Sequence, residues 1–177
     1  MENAATRIPE RISVGGIRLS PELVQFSYTR PVTEQCFLAP ALLRIAGRHI
    51  NISFLSISAT LDQVSTSLCT EAAYHLEVLG ILQATVKIPQ QLQCIASVGT
   101  LTLFPHRNSF VLPGRILQAF TANNLPIYGM CTSISALSVV TAFNTFDSAI
   151  QALEDVIEIP ENHSPFRQEL TIRQIQP

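Results

Sequence analysis

The chain has 177 residues, a formal net charge of −2 at pH 7 and a pI near 6.1. Charged residues make up only 14 % of it and hydrophobic residues 47 %, against about 25 % charged residues in an average domain. This balance excludes the basic field of a protein that binds nucleic acid or an anionic membrane surface. It also predicts that a partner covers part of the apolar surface, for which a homodimer is the simplest assembly.

Cysteine spacing and hydropathy together indicate a cellular location. The four cysteines form no CxxC pair and are expected to be reduced thiols. No apolar run approaches the roughly 20 residues of a membrane span, and the first residues lack the apolar core of a signal peptide. We therefore expect a cytoplasmic protein that does not bind membranes.

The first half of the chain alternates strand and helix patterns. Leu38, Leu42 and Ile45 have the spacing of a helix with one buried face. Thr70 is the expected N-cap of a second helix, which Gly80 is expected to end. In chain order, the predicted elements are an extended segment at 12–19, a strand at 23–28, a helix at 37–48, strands at 49–57 and 63–69, a helix at 70–79 and a strand at 84–88.

The second half repeats this order. A long loop with Pro113 and Gly114 at its end precedes the third helix. In chain order, the predicted elements are a strand at 92–98 that extends toward 104, a loop at 105–114, a helix to 123, strands at 127–132 and 136–143, a helix at 147–157 and a final strand at 168–175.

A self-similarity with a period of 75 residues organises these elements. The segment 42–52 aligns with 117–127, and the matches Ser58/Ser133, Val64/Val139 and Thr66/Thr141 continue it. Each copy has the order βαββαβ of a ferredoxin-like unit. We therefore predict an α+β protein with a first module at 12–90 and a second at 91–160. The final strand, within 161–177, is expected to complete the first module's sheet or to pair with a partner chain.

Several segments of these copies resemble the ACT domain, in particular the tandem ACT regulatory region of aspartate kinases. The segments that carry the resemblance are Leu112-Pro113-Gly114-Arg115-Ile116-Leu117, His49-Ile50-Asn51-Ile52, Ser133-Ile134-Ser135, the helix from Ser148 to Leu153, Val98-Gly99, and the opening hairpin from Ile12 to Phe26. The resemblance spans roughly 12–158 and implies two ACT modules with side-by-side antiparallel sheets, within a homodimer.

Three features depart from that family. No phosphate-cradling glycine loop of a kinase occurs in the sequence. The loop from Gly99 to Pro113 is several residues longer than the family's usual one. Lysine-binding members carry an acidic side chain on the second strand, and the matching positions here hold Ser53 and Tyr128. A buried ammonium without a counter-charge is costly, so lysine sensing in the familiar geometry is not expected.

The resemblance implies a ligand site at the loop between the first strand and the first helix of each copy, with the second strand facing it. Main-chain N–H groups at a helix start can hold a carboxylate, and Gly114 allows close approach of the backbone. Glu34 is the nearby anion that could replace the missing acidic partner. The candidate ligand-binding residues are Arg30, Thr33, Glu34, Gln35, Ser53, Ser58, Arg107, Asn108, Ser109, Phe110, Val111, Gly114, Ile127 and Tyr128. The alternative is an ordinary surface loop.

No catalytic or metal-binding pattern stands out. A Gly-x-Ser-x-Gly elbow does not occur. The four histidines are separate in sequence, and His75, four residues after Glu71, is expected to form a simple helical pair with it. We therefore expect no enzyme activity, no metal and no cofactor.

The expected function is that of a regulatory sensor. It would bind a small ligand, an amino acid, and modulate a partner enzyme of amino-acid metabolism by binding differently to two arrangements of the module pair. The alternative is a non-catalytic interaction subunit without a metabolite ligand.

Overall fold

The computed structural model describes residues 11–34, 38–86, 88, 91–105 and 110–160. The strands are β1 (Ile12–Ser13), β2 (Gly16–Leu19), β3 (Leu23–Pro31), β4 (Ile52–Ala59), β5 (Gln63–Glu71), β6 (Gln93–Phe104), β7 (Gly129–Thr132), β8 (Leu137–Ala142) and β9 (Ile157–Glu158). The helices are α1 (Leu38–Gly47), α2 (His75–Gln83), α3 (Val111–Ala122) and α4 (Phe146–Leu153). The strand expected at 168–175 lies outside the described residues.

The chain forms two compact units. The 20–100 unit contains Ser20–Thr100 and the short segment Ala142–Asn144, and the 101–160 unit contains the described residues before Ser20 and the remaining ones after Thr100. This grouping differs from the expected break after residue 90, since the boundary falls within β6 and residues 11–19 join the later part of the chain. The expected modules at 12–90 and 91–160 stay a prediction.

The 20–100 unit is a complete βαββαβ unit. Its strands lie in the order β4-β5-β3-β6, and both β4 and β3 run antiparallel to β5. The first part of β6 runs antiparallel to β3, with Phe26 opposite Cys94. A bulge follows, because Leu23 pairs with Val98 whereas Gln25 pairs with Ile95. Ser97, within this bulge, has a φ of 53°.

The two faces of this sheet differ in chemistry because apolar and polar residues alternate along β3 and β5. Phe26 and Leu68 pair on one face and form a core with α1 and α2, in which Ala41, Ile45 and Val78 are buried. The other face carries hydroxyls, with Gln25 Nε2 donating to Ser67 Oγ at 2.6 Å and Thr29 Oγ1 bonded to Ser65 Oγ at 2.9 Å. The sheet of this unit therefore has an apolar face that packs on the helices and an opposite face that carries hydrogen-bonded hydroxyl groups.

The 101–160 unit has the same layout with a different source for one strand. The end of β6 is followed by α3, β7, β8 and α4, and β7 runs antiparallel to β8. The edge position beside β6 is filled by β2, with Ile17 opposite Leu103. The pair β1 and β9 runs parallel, with Ile12 opposite Ile157. Buried Ile116, Phe120 and Leu153 belong to its helices.

The internal repeat is visible in the helix ends. His49 after α1 and Asn124 after α3, 75 residues apart, have φ values of 56° and 53°. The N–H of Ile50 donates to the Ile45 carbonyl at 3.3 Å, and that of Leu125 to the Phe120 carbonyl at 2.9 Å. Both helices therefore end in the same left-handed turn, which Asn accepts readily.

The period changes in the second half of each copy. A one-turn 3₁₀ helix, Ala72–Tyr74, leads into α2, and its counterpart, Phe143–Thr145, leads into α4. These turns lie 71 residues apart, not 75. The expected matches Val64/Val139 and Thr66/Thr141 are therefore wrong in register, and Thr141 corresponds to Thr70.

Two local predictions also fail. Thr70 is a residue of β5 and not an N-cap, because α2 begins at His75, and Gly80 lies inside α2. No strand covers Ala84 to Val86, where the N–H groups of Ala84 and Val86 return to the carbonyls of Gly80 and Leu82. Within the described ranges, none of the helices has the length and apolar character needed to cross a membrane.

Candidate functional site

The end of β3 and the loop after it hold three of the expected ligand-binding residues together. The Arg30 guanidinium donates through Nη1 to the main-chain oxygens of Pro31, at 3.1 Å, and Glu34. The Glu34 N–H returns to the Pro31 carbonyl at 3.1 Å, and Thr33 is exposed at the turn. Arg30 therefore fixes the shape of this loop by binding its backbone, whatever else it binds. Gln35 lies outside the described residues.

The two serines expected to face this loop lie at different ends of β4. Ser58 and Thr29 both pair with Ser65, so Ser58 lies at the loop end of the sheet, one strand removed from β3. Ser53 lies near the opposite end, roughly 17 Å away along the strand. It is the extra residue of a bulge between Ile52 and Phe54, and it is exposed. Within the 20–100 unit, the loop and Ser58 therefore lie at the same end of the sheet, with β5 between β3 and β4, whereas Ser53 lies near the other end.

In the 101–160 unit, the described part of the loop ends at an open helix start. Phe110, the N-cap residue of α3, is 95 % exposed and makes no side-chain capping bond. Val111 begins the helix and is exposed. A Cβ added to Gly114 would meet no heavy atom within 4 Å. Arg107, Asn108 and Ser109 lie outside the described residues.

Ile127 and Tyr128 lie beyond the other end of α3. The Tyr128 N–H donates to the Val140 carbonyl at 2.8 Å, which holds the chain beside β8. Because α3 rises about 1.5 Å per residue, these residues lie on the order of 15 Å or more from Phe110 and Val111. Each unit thus separates its loop from the start of its own second strand, and the joint site expected from the sequence stays a prediction.

The start of α3 offers the chemistry of an anion site. The first N–H groups of a helix have no partner within the helix, and its dipole is positive there. In α3 these donors belong to Val111 and Leu112, because Pro113 has no N–H. The first turn of α3 contains no acidic residue. A small carboxylate could therefore bind beside Gly114, where the surface is open and Phe110 and Val111 add apolar surface.

A further pair of reactive side chains was not expected from the sequence. His75 and Cys94 lie with Nε2 and Sγ 3.4 Å apart. The expected pairing of His75 with Glu71 on one helix is wrong, because Glu71 ends β5 and His75 begins α2. The signal that the sequence did carry was the presence of two metal-preferring residue types, 19 positions apart. The sequence does not show that these two side chains are in contact, because their contact depends on the pairing of β6 with β3.

Burial raises the pKa of two thiols in the 20–100 unit. Cys69 is fully buried, and this burial raises its pKa to about 12. Partial burial also raises the pKa of Cys94. No group of three or more His, Cys, Asp and Glu side chains in the described segments could hold a metal ion.

The two units have the ACT-type fold, and comparison with solved structures identifies proteins in which that fold occurs. The regulatory subunit of aspartate kinase from Thermus thermophilus matches with a TM-score of 0.70 and 15 % identity over 82 % of this chain and 99 % of that chain. A putative C-terminal regulatory domain of aspartate kinase from Porphyromonas gingivalis matches with a TM-score of 0.57 and 9 % identity over 80 % and 96 %. Aspartokinase III from Escherichia coli, in complex with lysine and aspartate, matches with 0.56 and 14 % over 81 % and 32 %.

These structural matches establish the fold at low sequence identity. No protein-family model matches the sequence, and no curated protein matches it. The chain resembles the regulatory subunits and regulatory domains of aspartate kinases, and its 177 residues contain no kinase domain. The resemblance expected from the sequence and the α+β, ACT-type fold are therefore confirmed.

Proposed function

We propose that this protein is a regulatory sensor that binds an amino acid at its ACT-type units and thereby modulates a partner enzyme of amino-acid metabolism. The open helix start at Gly114 is the observation that carries the proposal. The similarity to aspartate kinase regulatory subunits supports a regulatory role, and the E. coli homologue of this fold is described in complex with lysine and aspartate. Lysine and aspartate are ligands of the E. coli protein. For this chain the proposal covers only the class of ligand, an amino acid.

The proposed ligand contacts follow from charge. The α-carboxylate would bind the first-turn N–H groups of α3 beside Gly114. In the 20–100 unit, Arg30 and Glu34 offer a cation and an anion in one loop, which suits a zwitterion. With Ser53 and Tyr128 at the positions where an acidic partner would be needed, a neutral or acidic amino acid suits the protein better than lysine.

Regulation would follow from differential binding. A ligand that prefers one arrangement of the modules within a homodimer shifts the population toward it, by no more than the difference in its two affinities. The partner enzyme would bind one arrangement better than the other. The homodimer, the partner and the cytoplasmic location stay predictions.

The test is calorimetric titration of the full chain with pooled amino acids, followed by single compounds. We expect saturable heat that Gly114→Val abolishes, because the new side chain fills the open space at the helix start. Gly80→Val is the matched control, since Gly80 is also an exposed helical glycine with no heavy atom within 4 Å of an added Cβ. Binding that survives Gly114→Val would place the ligand elsewhere, and the loop variant Glu34→Gln then tests the 20–100 unit.

A second candidate function is a docking subunit without a metabolite ligand. The exposed apolar side chains of the 101–160 unit favour it, since Phe110 and Ile134 are 95 % and 82 % exposed and exposed apolar surface marks interaction sites. Absence of heat across all amino acids at millimolar concentration would favour this function over the sensor.

A further inference from the structure

The imidazole of His75 and the thiol of Cys94 meet at a place that three elements fix. His75 is the first residue of α2, and Cys94 is the second residue of β6. The pairing of β6 with β3 places Cys94 opposite Phe26. The Phe26 ring packs against the His75 ring with 5.8 Å between centroids and 56° between planes. Phe26 therefore lies opposite Cys94 in the sheet, and its ring also limits the rotation of His75.

The separation of the two atoms matches that of two ligands on one metal ion. The distance between Sγ and Nε2 is 3.4 Å. Zinc bonds of about 2.3 Å to sulfur and about 2.0–2.1 Å to nitrogen, at a tetrahedral angle, place the two ligand atoms about 3.5 Å apart. Thiolate and imidazole are ligands that zinc prefers, whereas calcium and magnesium prefer oxygen.

We propose that His75 and Cys94 are half of a zinc site that a second copy of this chain completes. Structural zinc needs four ligands, and no third His, Cys, Asp or Glu joins the pair among the described residues. A twofold axis beside the pair supplies the same two ligands again and gives a Cys2His2 set. The site is incomplete without the second copy, which is why its metal and its assembly are linked.

The surface around the pair is compatible with such a contact. Cys94 is exposed and His75 is half-buried. The residues on either side of His75, Tyr74 and Leu76, are 38 % and 80 % exposed. A second copy at the metal would cover this apolar surface, so the contact would gain from burial as well as from coordination.

The ordinary alternative is a hydrogen bond between thiol and imidazole within one chain, which the same distance allows. The shared zinc site and the hydrogen bond within one chain predict different metal contents and different molar masses. The full chain is stripped with a chelator and then titrated with zinc, while bound metal is measured by mass spectrometry and molar mass by sedimentation. We expect one zinc for two chains, and a molar mass that doubles relative to the metal-free protein, whether the metal-free protein is a single chain or the homodimer expected above. Cobalt in place of zinc should give the visible absorption of tetrahedral thiolate coordination.

Four variants locate the effect. Cys94→Ser and His75→Ala should abolish the doubling and the cobalt absorption. Cys131→Ser changes another exposed cysteine and His49→Asn another exposed histidine, whose φ of 56° Asn accepts. Both should behave as wild type. Folding of each variant is checked by circular dichroism in chelator.

Three results would overturn the inference. Zinc bound at one per chain without a change in molar mass would show that a second copy does not complete the site. Zinc-dependent doubling that persists in Cys94→Ser places the metal elsewhere. If no zinc binds at micromolar concentration, the contact between His75 and Cys94 is only a hydrogen bond. None of these results bears on amino-acid binding, so the proposed function is tested separately.

Discussion

Gly15 lies against the residues that follow β6. Its N–H donates to the Pro105 carbonyl at 3.2 Å. A Cβ at Gly15 would lie 2.3 Å from Pro105 Cδ and 2.9 Å from the Phe104 carbonyl oxygen. Neither group can turn away easily, because one is a ring atom of proline and the other is backbone. At the next position, a Cβ on Gly16 would meet Phe104 Cζ at 3.8 Å, which is ordinary contact.

We therefore expect Gly15→Ala to destabilise the protein by about 1–3 kcal/mol, as overpacking of a close contact does. Gly16→Ala should cost clearly less and serves as the control in the same segment. Urea unfolding followed by circular dichroism measures both midpoints. Equal midpoints for the two variants would show that the chain around Pro105 moves aside at little cost.

At the scale of the elements, α2 and α3 each carry a glycine that the fold does not require. Gly80 and Gly114 are exposed, and a Cβ at either would meet no heavy atom within 4 Å. Alanine in place of helical glycine stabilises by about 0.5–1 kcal/mol, mainly by reducing the entropy of the unfolded chain. Gly80→Ala and Gly114→Ala should both raise the free energy of unfolding by this amount, measured as a higher midpoint of urea unfolding. A decrease for Gly114→Ala alone would show that the start of α3 needs the freedom of glycine.

Periodicity predicted most elements well because their burial follows one face. The helix expected at 37–48 is α1 (Leu38–Gly47), and the strand expected at 63–69 is β5 (Gln63–Glu71). The strand expected at 84–88 fails, although Thr85 and Val86 favour strands. Their N–H groups close the end of α2 by bonding to the Leu82 carbonyl, at 2.9 Å each. Local preference was overridden by the helix that precedes them.

The candidate sites show the same limit. The start of α3 was predicted only approximately, because Pro113 and Gly114 were expected to end the loop, whereas the helix begins at Val111 and contains both of them. The pair of His75 and Cys94 could not be predicted, since it depends on the register between β3 and β6, which places Cys94 opposite Phe26. The sequence also gave no indication that β2 takes the position of the fourth strand in the 101–160 unit, beside the end of β6. A short segment such as Gly16–Leu19 gives no sign of which strand it will join.

At the scale of the whole molecule, the two units differ in how the chain builds them. All strands of the 20–100 unit lie within one stretch of chain. The 101–160 unit needs β1 and β2 from before Ser20, where Val14 and Ile17 are 2 % and 7 % exposed. Its sheet would lack an edge strand, and its core two apolar side chains, if residues 11–19 were missing.

This difference predicts different behaviour of the two parts when they are separated. Residues 20–100 expressed alone should unfold cooperatively, because the unit contains all four strands and both helices of a βαββαβ unit. Residues 101–160 alone should lack a cooperative transition, since Leu101 and Leu103 lose their pairing with β2.

A permuted fragment is the control for this comparison. Linking residues 11–19 behind residue 160 through a flexible linker should restore cooperative unfolding, because the missing strand can then reach its place beside β6. Thermal unfolding by circular dichroism and dispersion of amide resonances measure all three fragments. If 101–160 folds without the added segment, β2 is only an accessory to that unit, and the two modules would follow one another along the chain as the internal repeat predicts.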